Sequence, residues 1–176
     1  MTAALVFHFL RSLRTICFGV SVFAASTAAA QEGGLIAITL ADERLELPLN
    51  AGHSDWTGSE GFAKVSILTR PTDLKTWEQF QSLRLAFDLL RHGAQTPEMS
   101  LLRRGDDDGF ERWYSRPDLG GLRVTVTDRS LDGAQLRVSG TFLGMLGISP
   151  DFGRTIDLSE PMSVSGTFDV TLLPIR

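Results

Sequence analysis

Beyond residue 30, apolar and polar positions alternate with a period of two over most of the chain, the pattern of strands that bury one face. LIAITL (residues 35–40) and RLELPL (residues 44–49) flank Ala41, Asp42 and Glu43 and predict a first hairpin. AGHSDWTGSEG (residues 51–61) reads as a loop, and FAKVSILTR (residues 62–70) as the next strand, closed by Pro71. In DLKTWEQFQSLRLAFDLLR a single long helix would carry Arg84 and Asp88 on its buried stripe, whereas a strand from Leu83 places Leu83, Leu85, Phe87 and Leu89 on one face. The pattern therefore predicts a short helix over residues 74–80, capped by Asp73, and then a strand. HGAQTPE reads as a loop, strands at residues 99–104 and 110–115 enclose GDDDG, and LRVTVTD (residues 122–128) follows the turn PDLGG.

VSGTF occurs twice, at residues 138–142 and 164–168, each copy inside an alternating run. The midpoint between Gly140 and Gly166 is Gly153, in the turn-like SPDFGR. An antiparallel hairpin about it would set Val138 against Phe168 and Phe142 against Val164, all four on one face, with the opposed glycines leaving a shallow trough for a bulky side chain from another layer. RSLD and RTID precede the copies at nearly equal spacing, which a duplication would also produce. Eight or nine short strands and one minor helix predict an all-β fold, an antiparallel β-sandwich, with a β-barrel as the alternative architecture.

Residues 1–30 change the picture, because they carry the layout of a secretory signal peptide. Arg11 and Arg14 precede the apolar ICFGVSVFAA, and Ala28 and Ala30 form a small-residue cleavage site, so a single β-sandwich domain is expected at residues 31–176. Ser21, Ser26 and Thr27 interrupt the apolar run well short of the 20 or so residues a membrane span needs. Removing the leader takes two arginines and no acid, leaving 15 basic against 21 acidic residues, a net charge of −6. Such a chain lacks the electrostatic attraction that supplies most affinity for nucleic acid. The only cysteine, Cys17, leaves with the leader, so the domain must be held by packing although a periplasmic or secreted location would permit disulfides. A single asparagine, Asn50, and basic residues that are overwhelmingly arginine suggest a bacterial envelope protein.

Candidate chemistry is sparse. Only His53 and His92 remain as imidazole bases, and His53, Ser54 and Asp55, being consecutive, cannot converge on an extended chain. Zinc has no thiolate here. GDDDG offers hard oxygen ligands of the kind calcium takes, but an EF-hand alignment puts Arg104 at the first position and Ser115 at the twelfth, so no cofactor or metal is expected. The segment that suggests contact is FERWYS with the turn before it. Phe110, Arg112 and Tyr114 share one face of that strand and Glu111, Trp113 and Ser115 the other, so at least one large aromatic should stand near the surface. Trp113, Tyr114, Arg104, Asp106 and Asp108 are accordingly the candidate binding residues, with an envelope protein or a glycan as partner. RGD at residues 104–106 falls on the same hairpin tip. The expectation is a non-catalytic binding or accessory module, with a small periplasmic hydrolase as the alternative.

Overall fold

The computed structural model describes residues 33–59, 61–105 and 109–175. The expected signal peptide lies outside these residues, as do Asp106 and Asp108. The described chain forms β1 (Gly34–Leu40), β2 (Glu43–Pro48), β3 (Asp55–Ser59), β4 (Phe62–Thr69), α1 (Leu74–Gln79), β5 (Phe80–Leu90), β6 (Gly93–Arg104), β7 (Phe110–Ser115), β8 (Arg123–Asp132), β9 (Gln135–Ile148) and β10 (Asp157–Pro174). The fold is all-β. The one helix begins where expected: the Asp73 carboxylate accepts the Thr76 N–H at 2.9 Å, satisfying a donor that the first turn leaves without a partner.

Hydrogen bonding runs in the order β2-β1-β10-β3-β4-β5-β6-β7-β9-β8, and β9 also pairs β10 along most of its length. Two of these links are short. Leu173 and Pro174 of β10 pair Asp55 and Trp56 of β3 in parallel, and Trp113 and Tyr114 of β7 pair Ile148 and Gly147 of β9. The ten-stranded sheet therefore turns at two corners into two five-stranded layers, β2-β1-β10-β9-β8 and β3-β4-β5-β6-β7. It is a sandwich in its layers and a barrel in its hydrogen bonding, which closes on itself through both corners.

The inward positions meet between the layers as period two dictates. Ile36, Ile38, Val138, Phe142, Val164, Phe168 and Val170 face Val65, Ile67, Leu83, Leu85, Phe87, Met99 and Leu101 in one buried cluster. The Phe87 and Phe168 rings touch across it with centroids 5.9 Å apart. Each such buried side chain contributes about 1.5–3 kcal/mol. Trp56 seals one end, its indole N–H donating to the Ala134 carbonyl in the β8–β9 turn at 3.1 Å. The outer edges carry blocking features: charged Glu43, Arg44 and Glu46 with Pro48 on β2, and a bulge between Val126 and Asp128 on β8.

The repeated VSGTF stretches are neighbouring antiparallel strands, and Val138, Phe142, Val164 and Phe168 are all buried. The register differs from the expected one by two residues. Gly140 lies opposite Phe168, Thr141 opposite Thr167, and Phe142 opposite Gly166. No trough remains, because each ring occupies the space above the other copy's glycine. A Cβ at Gly140 would come within 2.7 Å of the Phe168 ring, and one at Gly166 within 2.6 Å of the Phe142 ring. The slide is even, so every side chain keeps its face.

Two segments read as loops are strands. β3 lies within residues 51–61, where Gly58 adopts φ +129 and packs against the Phe62 carbonyl, so only Trp56 on that strand is buried. β6 begins at Gly93, and the strand absorbs Pro97 at an irregularity in its pairing with β5, where Thr96 takes φ 45. A bulge is where a strand tolerates a residue that cannot donate.

Candidate functional site

At the end of the β6–β7 pair the Gly105 N–H donates to the Gly109 carbonyl at 2.9 Å. Arg104 is exposed at the end of β6. The two aromatic candidates part company. Trp113 is buried in the core, whereas Tyr114 faces outward and is half-buried. Of the candidates that are described, Trp113 and Tyr114 thus lie on opposite faces of β7.

At this end of the molecule lies a cleft of about 620 Å³. Its floor is apolar, with Leu40 from β1, Phe80 from β5, Leu101 from β6 and Met162 from β10. Asp42 of the β1–β2 turn and Glu43 at the start of β2 stand at its mouth on one layer, and Arg103 and Arg104 on the other, with Glu78 of α1 beside them. The volume lies within the usual range for small-ligand sites, about 300–1,000 Å³.

Arg103 of this cleft is expected from sequence only as a neighbour of the exposed aromatic and is not among the candidate binding residues. Met99, Leu101 and Arg103 share the inward face of β6, and the first two are fully buried. A guanidinium follows them on that row, where the layers open. Its carbon lies 5.8 Å from the Trp113 ring centroid, within cation–π range, and one NH group reaches the Met162 sulfur at 3.8 Å. The cross-strand neighbour of Arg103 is Glu111, but that carboxylate accepts the Trp113 indole N–H at 3.0 Å. Arg103 is thus half-buried and joined to no carboxylate among the described residues. The signal was legible: an arginine at an inward position in an alternating strand.

A second feature lies on the outside of β7. The Arg112 guanidinium stacks over the Phe152 ring at 4.4 Å, and Phe152 is 68% exposed. Phe152 sits in the β9–β10 turn at φ 60, left-handed backbone that a bulky residue adopts at a cost of order 1–3 kcal/mol. The turn holds it there through Asp151, whose carboxylate accepts from the Thr155 N–H and hydroxyl, both at 2.8 Å, and from the Ser149 hydroxyl at 3.0 Å. These bonds favour the charged carboxylate, the Thr155 N–H most of all, and hold Asp151 below the usual carboxylate range. Gly153, also left-handed, lets the turn lie on the Tyr114 ring, where an added Cβ would come within 2.8 Å.

His53 is exposed with its Nδ1 3.2 Å from the Asn50 amide oxygen. Ser54 is buried and spliced into the sheet, accepting from the Leu68 N–H at 2.8 Å and donating to the Leu68 carbonyl at 3.1 Å. Among the described residues no three His, Cys, Asp or Glu side chains gather as metal ligands, and no helix is long and apolar enough to cross a membrane. Comparison with known proteins finds no family model, no curated protein and no solved structure that matches this chain.

Proposed function

We propose that the protein is a non-catalytic binding module of the bacterial envelope, exported by its N-terminal leader, that receives part of an envelope protein or glycan in the cleft at the β6–β7 end. Arg103 carries this reading. A guanidinium set on an inward row, stacked on Trp113 and joined to no carboxylate among the described residues, adds little to the stability of the sandwich and gives a ligand a fixed donor array above an apolar floor. Native mass spectrometry of the chain isolated from its own envelope tests it. Wild type is expected to carry an additional mass, and Arg103→Met, melting within a few degrees of wild type, is expected to have lost it. Wild type without added mass, or an added mass that Arg103→Met retains, overturns the reading.

A further inference from the structure

Resting on that reading of the cleft, we infer that its ligand is amphoteric: an apolar body with an anionic group at one end and a cationic group at the other, as in a short peptide segment or an amino-acyl chain. The inference comes from how charge is divided across the opening. Asp42 of the β1–β2 turn and Glu43, the first residue of β2, stand on one layer; Arg103 and Arg104 of β6 stand on the other, with the single carboxylate of Glu78 from α1 beside them. Asp42 and Glu43 are exposed, Arg103 is half-buried, and among the described residues no ion pair joins Arg103 to Asp42 or Glu43. Between them lie Leu40, Leu45, Phe80, Leu101 and Met162, of which Leu40, Phe80 and Leu101 belong to the buried core.

An anionic amphiphile would find Arg103 but place its other end near two carboxylates that repel nothing and bind nothing in it. A cationic amphiphile would meet the reverse. A ligand with both groups satisfies both lips, and the apolar floor between them sets its body. The two ends are not equal in strength. Arg103 is partly desolvated and pre-oriented by Trp113 and Met162, so a charge-assisted bond to it is worth about tenfold in affinity. The acidic lip is open to water, and its contribution is about threefold.

The probes are α,ω-amino acids of six to twelve carbons, each compared with the monocarboxylic acid and the primary amine of the same length. Binding to the full protein is followed by tryptophan fluorescence, which Trp113 under Arg103 makes sensitive to occupancy, and by calorimetry. One length of amino acid is expected to bind about tenfold more tightly than its amine and about threefold more tightly than its acid. Arg103→Gln should reduce it to the level of the amine, and the double variant Asp42→Asn, Glu43→Gln to the level of the acid. Equal binding of the acid and the amino acid overturns the amphoteric inference and leaves the binding-module reading standing. So does an absence of binding by every probe while the native protein still carries an Arg103-dependent mass. An absence of both overturns the two together.

Discussion

The two hairpins that meet at the β7–β9 corner use the same material, aromatic residues on alternating strands, to opposite ends. In β9 and β10 each inward phenylalanine lies over a glycine of its partner strand, and the pair is closed: Gly140 against Phe168, Gly166 against Phe142. In β6 and β7 the inward aromatic, Trp113, lies beneath a guanidinium at the mouth of a cleft. In the first pair shape complementarity excludes any further atom, and nothing is left for a partner to use. In the second the alternation places a charge on the buried row, and the layers part around it. A strand pair serves as scaffold where its large and small residues match, and becomes available for binding where the row ends on a group that the core cannot satisfy.

The largest effect expected from breaking that contrast is in the closed pair. Phe142→Ala and Phe168→Ala should each cost about 3–5 kcal/mol in chemical denaturation, the usual penalty for emptying a buried phenyl site. Gly140→Ala should cost about 3 kcal/mol, the upper end for overpacking, because its Cβ would meet both the Phe168 ring and the Thr125 carbonyl, and backbone does not yield. Gly140→Ala combined with Phe168→Ala should cost less than the sum of the two by at least about 0.5 kcal/mol, since the ring is part of the clash. Strict additivity would show that the reciprocal fit of ring and glycine is not what the repeat provides.

The next effect separates the two sides of β7. Trp113→Ala should cost about 3 kcal/mol, the lower end for a large aromatic, because Trp113 is buried but stands near the end of the core. Tyr114→Ala should cost about 1 kcal/mol, the scale of a partly exposed contact. Equal losses at the two positions would mean that the outer face of β7 is as much core as the inner one.

Period two made most of this legible. It gave the strands, the inward faces and the pairing of the two VSGTF copies, and it split FERWYS into the correct two rows. The register escaped it because opposing the glycines looks like the symmetric solution, while the even slide that sets rings over glycines fills the same space better and leaves the hydrophobic pattern unchanged. β3 and the first half of β6 were hidden by Gly58 and Pro97, residues that mark loops in sequence and here mark a close approach and a bulge. The cleft had no local signature at all. Its walls come from the β1–β2 turn, α1, β6 and β10, segments brought together only by the closing of the sheet. Arg103 was visible as an inward charge; the left-handed Phe152 was not, since nothing in SPDFGR distinguishes it from an ordinary turn residue.

The smallest effect is also the sharpest measure of how wet the outer side of β7 is. Tyr114 is the only tyrosine in the chain, so the phenolate absorbance of the folded protein reports it alone. Burial pushes its pKa above the ordinary tyrosine value; Arg112 pulls it down, Glu98 pushes it up, and Arg84 pulls it down again, in decreasing order. The folded protein should therefore titrate at higher pH than the denatured chain. Because folding favours the protonated phenol, its contribution to stability is complete below the unfolded value of about 10 and is lost as pH rises through the folded one. Glu98→Gln should move the midpoint down, by removing a charge that opposes ionisation, and Arg112→Ala should move it up, by removing one that assists it. A folded midpoint at or below that of the denatured chain would place Tyr114 in open water, and the turn carrying Phe152 could not then be lying on its ring.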